Sequence, residues 1–379
     1  AGPVSVDEGT THTYSFTASA PSGNFSVTSS SCGTAGLLES GSLVTTSTGG
    51  SFQCGFPDGP AASVVTISVE DDGYGTTASS SVSVTVVNTA PTVDVELGTV
   101  VVDEGSTAQN NGTWADAGVD MVVMTASVGA VVTGDDGTWS WSFEAADGPT
   151  ESGTVTITGV DDDGAATSAE FALTVNNVAP TVALDGFTSP VEGFVLPGHT
   201  MHFSGNFTDP GYLDTHTAVW DFGDGTLVPG TLTEENDPPD ATGMVSGVHT
   251  YGVPGTFVIG LEVIDDDGGA GVATITMEVM SAAGLLDLIN EYIQDLPASS
   301  FNGPAAQHAN ALSNKLEAVK NILDNGDTMG AKNKLLNDIR AKSDGSLGGN
   351  PSNDWIVDAG AQEDLSLMID ELVAYLDRT

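Results

Sequence analysis

The stretch "GTVTITGVDDDGAATSAEFALTV" (153–175) carries two alternating apolar segments on either side of an Asp-rich centre. Alternation with period two, together with many Thr and Val residues, predicts half-buried antiparallel strands. The Asp-Gly pair between them indicates a hairpin, for which we expect a two-residue type I′ turn because such turns need positive φ. The stretch therefore predicts a β-hairpin with three carboxylates at its tip.

The hairpin pattern occurs three times. "SVEDDGYGTT" (68–77) and "EVIDDDGGAG" (262–271) repeat it, and the intervals between Gly73, Gly164 and Gly268 are 91 and 104 residues. An immunoglobulin-like β-sandwich has about 100 residues and several short strands. The spacing therefore predicts three such sandwiches in tandem.

Two further features support this division. "VSVDEGT" (4–10) recurs as "VVDEGST" (101–107) and, more loosely, as "SPVEGF" (189–194). The segments "NTAPTV" (88–93) and "NVAPTV" (177–182) occupy the predicted joints, where proline holds the backbone extended. Because these linkers are short, we expect neighbouring sandwiches to have limited freedom.

The period changes near residue 282. "AGLLDLINEYIQDLP" (283–297) places apolar residues at helical spacing, and three later segments continue in the same style. We therefore predict a mainly β chain with three tandem immunoglobulin-like sandwiches followed by an α-helical module. The predicted domains are residues 1–89, 90–179, 180–281 and 282–379.

The charge balance restricts the possible partners. Seven Lys and Arg face 52 Asp and Glu, for a formal net charge of −45, and residues 1–282 contain no Lys or Arg. Such a surface repels nucleic acid and anionic membranes, because both are bound through basic side chains. No apolar run approaches the roughly 18 residues of a membrane span. Compaction is expected to depend on apolar burial, salt or bound cations.

The two cysteines, Cys32 and Cys54, lie in one predicted sandwich. We expect a structural disulfide from an oxidising compartment, since no motif supports a nucleophilic cysteine. This predicts an exported protein, located outside the cell or on its surface. The first residues show neither an initiator Met nor a signal-peptide pattern, which predicts a mature form or a fragment.

The segments "AVWDFGDGT" (218–226) and "VHTYGVPGTFVIGLEVIDDDG" (248–268) resemble the PKD (polycystic-kidney-disease type) domain, an immunoglobulin-like module. The family pattern is a W-D-F-G-D-G strand and turn, then H-x-Y-x-x-P-G, and then a strand that ends in D-D-x-G. The first two copies lack these central motifs and resemble degenerate PKD-like or related domains. The matching residues are Trp220, Asp221, Phe222, Gly223, Asp224, Gly225, His249, Tyr251, Pro254 and Gly255.

The resemblance also implies calcium, because some PKD domains bind it with linker and loop oxygens at one end of the sandwich. Carboxylates and amides that converge there are the hard ligands that calcium prefers. The alternative is that these acids are simply solvated in a salt-adapted protein. The predicted ligands of the third copy are Asn176, Asn177, Asp209, Asp214, Asp265, Asp266 and Asp267, and those of the second copy are Asn88, Asp116, Asp161 and Asp162. In the first copy, Asp71 and Asp72 have no obvious partners.

No catalytic motif is recognisable, since H-E-x-x-H, G-x-S-x-G and phosphate-binding glycine loops are missing from the sequence. We therefore expect a non-catalytic protein. One hypothesis is a calcium-stabilised structural or adhesive tandem that spaces or presents other parts at the cell surface. Another is an accessory region of a secreted hydrolase or protease whose catalytic domain lies elsewhere. The expected partners are protein or polysaccharide at the cell exterior, including copies of the chain itself, and the helical tail could dock an acidic partner.

Overall fold

The computed structural model describes residues 1–345 and 351–379 of the chain. Its contacts divide it into two units, Ala1–Val178 and Ala179–Thr379. The first unit contains two sandwiches, each with its own apolar core. The second contains a third sandwich and the helices, which begin at Ala282. The mainly β fold, with sandwiches followed by helices, is thereby confirmed.

The first sandwich pairs a sheet of order β1-β8-β7-β3 with one of order β2-β6-β4, in which β5 also joins β6. The expected disulfide is present: Cys32, just after β3, bonds to Cys54 of β6, with 5.6 Å between their Cα atoms. It therefore joins the two sheets inside the core. The strands are β1 (Ser5–Asp7), β2 (Thr10–Thr17), β3 (Phe25–Ser31), β4 (Leu37–Leu38), β5 (Val44–Thr46), β6 (Gly49–Phe56), β7 (Ala61–Asp71) and β8 (Thr77–Val87).

The second sandwich has sheets of order β10-β16-β15-β12 and β13-β14-β11-β9. Its second strand, β10, runs parallel to its last strand, β16, as β1 does to β8 in the first sandwich. Trp139 and Trp141 alternate with exposed residues on β14 and both enter the core. The strands are β9 (Thr92–Val95), β10 (Thr99–Asp103), β11 (Thr107–Ala115), β12 (Val123–Ala126), β13 (Ala130–Thr133), β14 (Thr138–Glu144), β15 (Gly153–Val160) and β16 (Ala166–Asn176).

The third sandwich has sheets of order β17-β18-β22-β21 and β20-β19-β23-β24. Trp220, Phe222 and Tyr251 are fully buried between them, and the Tyr251 hydroxyl donates to the carbonyl of Phe222 at 2.9 Å. The strands are β17 (Thr181–Thr188), β18 (Thr200–Asp209), β19 (His216–Asp221), β20 (Leu227–Pro229), β21 (Thr231–Asp237), β22 (Asp240–Thr250), β23 (Gly255–Asp265) and β24 (Ala270–Val279).

The turn after β19 contains the remaining residues of the central motif. Gly223 and Gly225 adopt φ of 73° and 92°, which side chains with a Cβ rarely adopt. The backbone N–H of Gly223 donates to the carboxylate of Asp221, and Asp224 Oδ2 lies 2.8 Å from His249 Nε2. Pro254 precedes Gly255, where β23 begins. The turn is therefore fixed by glycine conformation and by two aspartate contacts.

The helices are amphipathic, as their spacing predicts. Leu285, Leu286, Ile289 and Ile293 lie on one buried face of α1 and share a core with apolar residues of the loop between β17 and β18. The third of the predicted helical segments is α-helical only in its first half, Thr328–Lys334. It continues as a π-helical turn, Leu335–Ile339, and a 3-10 turn, Arg340–Lys342. The helices are α1 (Ala282–Asp295), α2 (Ala305–Asp324), α3 (Thr328–Lys334) and α4 (Ala359–Leu376), with 3-10 turns at Ala298–Ser300 and Pro351–Asn353.

The Asp-rich hairpins differ from the two-residue turns that the sequence led us to expect. Five residues, 161–165, separate β15 from β16, and the N–H of Ala165 donates to Asp161 Oδ1 at 2.7 Å. Asp265 closes the corresponding loop of the third sandwich by accepting from the N–H of Gly269 at 2.7 Å. The type I′ prediction was wrong because an aspartate side chain caps the loop and lets it be longer than two residues.

Candidate metal centre

Glu8 begins the site. It directly follows β1, is fully buried, and accepts two backbone hydrogen bonds. Its Oε2 accepts from the N–H of Gly59 at 2.9 Å, and its Oε1 accepts from the N–H of Thr89 at 2.6 Å. The glutamate of the repeated D-E-G motif thus joins the start of the first sandwich to the linker that leaves it.

The second sandwich repeats this arrangement. Glu104 is also buried, and its carboxylate accepts from the N–H of Gly148 at 2.7 Å and from that of Val178 at 2.6 Å. Both glycines belong to an Asp-Gly-Pro segment, at residues 58–60 and 147–149. The D-E-G and D-G-P segments therefore act together to hold each linker.

Five acidic residues converge where the first and second sandwiches meet within the first unit. Carboxylate oxygens of Asp116, Asp120 and Asp161 lie within 4.8 Å of one another, and so do those of Glu8, Asp58 and Asp120. Asp120 belongs to both groups. We call Glu8, Asp58, Asp116, Asp120 and Asp161 the junction cluster.

Loops with defined local structure place these side chains. Asp116 and Asp120 lie in the loop between β11 and β12, and Asp161 begins the loop between β15 and β16. Asn88, in the linker, donates through Nδ2 to Asp161 Oδ2 at 3.2 Å. The cluster therefore consists of residues from two segments of the first sandwich and two loops of the second. Asn88 connects it to the linker.

The electrostatics of the cluster are unfavourable without a cation. Two carboxylates within 4.8 Å repel by at least about 3 kcal/mol at an effective dielectric constant of about 20. Burial, and then the charge of Glu8, raises the pKa of Asp120 to about 6. The chain has no lysine or arginine before Lys315, so no basic side chain of the first unit can neutralise the cluster.

Several buried oxygens at or next to the junction cluster have no hydrogen-bond donor. In the part of the chain that the structure describes, Oδ1 of Asn88, Oδ2 of Asp116 and Oδ2 of Asp120 are buried and have no hydrogen-bond partner. Buried acceptors are rarely left in this state, since each costs the energy of its lost hydration. Carboxylate and amide oxygens from several loops fit the six to eight hard ligands of calcium.

The structure brings together part of the predicted second-copy set. Asp116 and Asp161 belong to the cluster, and Asn88 contacts it, whereas Asp162 is exposed and accepts from the N–H of Met121 at 2.9 Å. The sequence analysis missed Glu8, Asp58 and Asp120. The repeated D-E-G and D-G-P segments are the signal that could have revealed the first two.

The predicted third-copy residues form a different arrangement. Asp209 is fully buried, and its Oδ2 lies 3.2 Å from Nε2 of His216, whose Nδ1 lies 3.0 Å from Glu234 Oε2. Burial opposes protonation of this imidazole, but its contacts with Asp209 and Glu234 prevail and raise the pKa of His216. The sequence analysis did not identify His216 or Glu234 as partners.

The remaining acids of the third copy mostly shape the loops. Asp265 accepts from the N–H groups of Asp267 and Gly269, and Asp266 accepts from the N–H of Thr215, next to Asp214, at 3.0 Å. The loop after β18 and the hairpin of β23 and β24 are therefore in contact. Asn176 and Asn177 belong to the first unit, and their grouping with the third copy stays a prediction.

Asp71 of the first copy has partners that the sequence did not suggest. It is buried and accepts from the N–H groups of Ser22, Gly73 and Tyr74 at 2.9–3.2 Å. Hydrogen bonds, of which that with the Ser22 side chain is the strongest cause, lower the pKa of Asp71. This aspartate stabilises its own hairpin and the neighbouring loop.

The chain can now be compared with known proteins. The family model described as "PKD domain" matches residues 177–279. No curated protein matches the sequence. Among the described residues, no helix is long and apolar enough to cross a membrane.

Similar solved structures include tandem and single immunoglobulin-like domains. The I-band fragment I67–I69 of titin is 12% identical with a TM-score of 0.34, over 73% of this chain and 95% of that one. The PKD1 domain of the Vibrio cholerae metalloprotease PrtV is 21% identical with a TM-score of 0.19, over 27% of this chain and all of that one (100%). The PKD1 domain of Vibrio anguillarum Epp is also 21% identical, with a TM-score of 0.19 over 27% of this chain and 96% of that one.

The sequence motif, the buried aromatic residues of the third sandwich and the family match agree. Domains of this type are typically non-catalytic structural or interaction modules. The chain contains a PKD domain at residues 177–279, preceded by immunoglobulin-like sandwiches.

Proposed function

We propose that the chain is a non-catalytic structural tandem outside the cell, in which calcium bound at the junction cluster fixes the first sandwich against the second. The observation that carries this proposal is the convergence of five carboxylates, with buried acceptors lacking donors, in a unit without lysine or arginine. Calcium supplies the positive charge that the unit lacks. The chain acts as a spacer or as an interaction module for protein or polysaccharide at the cell exterior.

The protein's own residues explain why an ion would affect the joint. Glu8 already binds the linker through Thr89, and Asn88 contacts Asp161 of the second sandwich. An ion held by Asp116, Asp120 and Asp161 together with Glu8 would bind carboxylates of both sandwiches and so hold the first sandwich and the linker to the second. Calcium binding therefore restricts motion at the linker.

The extracellular location is supported by two features. Structural disulfides such as Cys32–Cys54 form and persist in oxidising compartments. Extracellular calcium modules bind with Kd of roughly 10⁻⁴–10⁻³ M, which suits calcium-rich surroundings. An oxidising, calcium-containing exterior satisfies both features.

Calorimetric titration of the full chain with calcium at pH 7 tests the proposal. We expect binding with Kd on the order of 10⁻⁴–10⁻³ M. Because Asp120 belongs to both carboxylate groups, Asp120→Asn should weaken the binding more than any other single substitution in the cluster. Glu170→Gln is the matched control, since Glu170 is exposed in the middle of β16.

Hydrogen exchange measured by mass spectrometry then separates binding from its effect on the joint. Calcium should slow exchange in peptides that cover residues 88–93 in the native chain and in Glu170→Gln. Asp120→Asn should show no such slowing. Heat that persists unchanged in Asp120→Asn, or a linker that does not respond to calcium, would refute the proposal.

A further inference from the structure

Two further acids are buried in the helical module, far along the chain from the junction cluster. Asp344 and Asp354 have only 6% and 2% of their surface exposed. The N–H groups of Trp355 and Ile356 donate to the carbonyl of Lys342 at 2.8 and 3.2 Å. These bonds hold the segment after Lys342 beside the segment before Trp355. Asp344 and Asp354 therefore lie near each other.

The two carboxylates lack partners. In residues 1–345 and 351–379, Oδ1 of Asp344 and both carboxylate oxygens of Asp354 are buried and have no hydrogen bond of normal geometry, although the N–H of Gly345 is close enough to Asp354 to lower its pKa. An unpaired buried carboxylate costs several kcal/mol, so such groups are normally matched by a cation or take up a proton. The structure therefore leaves a strong acceptor site without a donor.

The neighbouring basic side chains are engaged elsewhere. A guanidinium nitrogen of Arg340 donates to Asp370 at 2.8 Å, and the ammonium of Lys342 donates to the carbonyl of Asn353 at 3.2 Å. Within the described part of the chain, no salt bridge joins either group to Asp344 or Asp354. Neither Arg340 nor Lys342 therefore forms a direct ion pair with the two aspartates.

The surroundings disfavour the charged forms of both acids. Burial raises the pKa of Asp344, and the charge of Arg340 opposes this only in part. Burial and then the nearby charge of Asp344 raise the pKa of Asp354, and the N–H of Gly345 and the charge of Lys342 oppose this only in part. Two carboxylates that disfavour each other's charge and have open oxygens are suited to share one cation.

We infer that Asp344 and Asp354 form a calcium site in the helical module, separate from the junction cluster. The ion would connect the segment that follows the third helix to the segment that precedes α4. Calcium is the suitable class of ion because both side chains offer hard oxygens from irregular segments, where flexible coordination is possible. The helical module then depends on calcium for part of its stability.

Hydrogen exchange of the full chain, with 10 mM calcium or with chelator, tests this inference. Peptides covering 328–345 and 352–376 should exchange on the order of 10- to 100-fold more slowly in calcium, as expected for a site with Kd of roughly 10⁻⁴–10⁻³ M. Asp354→Asn and Asp344→Asn should each abolish this response. The response of the first unit should remain, which distinguishes the two sites.

The matched control is Asp324→Asn, which removes an exposed carboxylate at the end of α2 and should keep the full calcium response. In chelator, Asp354→Asn should exchange more slowly than the native chain, because a buried charge has been removed. Faster exchange of that variant in chelator would show that the carboxylate serves an internal contact, and it would overturn the inference. A calcium response that survives in both variants would also overturn it.

Discussion

The second and third sandwiches each place an aspartate at the end of a core strand, Asp116 directly after β11 and Asp209 as the last residue of β18, but the two aspartates have different neighbours. Asp209 contacts His216, the first residue of β19, and this imidazole also contacts Glu234. The corresponding strand of the second sandwich, β12, begins with Val123 and contains no histidine. Asp116 instead faces Asp120 and Asp161.

This difference shows how a single side chain changes the chemistry of the same loop position in two sandwiches. Where a histidine is available, a proton provides the missing positive charge from within the domain. Where the strand offers no histidine, as in β12, the calcium proposed above would supply the positive charge.

The largest effect is expected from His216→Leu. The side chains of His216 and Asp209 are both fully buried, so the variant leaves a buried carboxylate without its cation. Removing one partner of a buried pair typically costs about 3–5 kcal/mol of unfolding free energy. Urea-dependent hydrogen exchange in peptides from residues 200–279 measures the loss.

The double variant Asp209→Asn/His216→Leu provides the control. It removes the buried charge as well and should recover part of the lost stability. A loss below about 1 kcal/mol in the single variant would show that the histidine contributes little, since that is the range of an exposed pair.

The second effect concerns calcium and the first unit. At 10 mM calcium and Kd near 10⁻⁴ M, binding should stabilise that unit by about 2.7 kcal/mol relative to chelator. Denaturant unfolding monitored by hydrogen exchange in peptides from residues 107–176 measures this change. Asp120→Asn should reduce it strongly while Glu170→Gln retains it, and equal stabilisation in both variants would contradict the role of the cluster.

The third effect is a pH dependence of the third sandwich above pH 6. Its folded form holds the His216 proton more tightly than the unfolded form, because Asp209 and Glu234 raise the pKa of the imidazole. The stabilisation is therefore complete below the ordinary histidine pKa of about 6.5 and is lost as pH rises through the higher folded value.

Unfolding of peptides 200–279 between pH 6 and pH 9 measures this dependence. His216→Leu should flatten the profile, with His12→Gln, at a half-buried histidine of the first sandwich, as the control. A native profile that rises with pH over this range would contradict the assignment of the proton to His216.

The smallest effect should come from monovalent salt. In chelator, added NaCl should stabilise the first unit by less than about 1 kcal/mol, because salt screens only the exposed part of the repulsion. The His216 region should respond even less, since its charges are already paired. Stabilisation by NaCl as large as that by calcium would show that screening, and no specific ion, accounts for the cluster.

The sequence by itself determined the architecture. Period-two strands, the repeated hairpins, the motif around Trp220 and the helical spacing of Leu285 and Ile289 all depend on local alternation or on residues close in the chain. The same local logic located the disulfide, because only two cysteines exist. It also predicted that Asp116 and Asp161 lie at the same end of one sandwich.

Only the tertiary structure decided which acids share a site. Glu8, Asp58 and Asp120 are brought together by the packing of the first sandwich on the second, and no local periodicity reports contacts between residues so far apart in the chain. Likewise, the contact between Asp209 and His216, and the pairing of Asp344 with Asp354 through the backbone bonds at Lys342, appear only in three dimensions. Electrostatic partnership depends on distance and burial in three dimensions, and neither quantity is encoded in the local pattern.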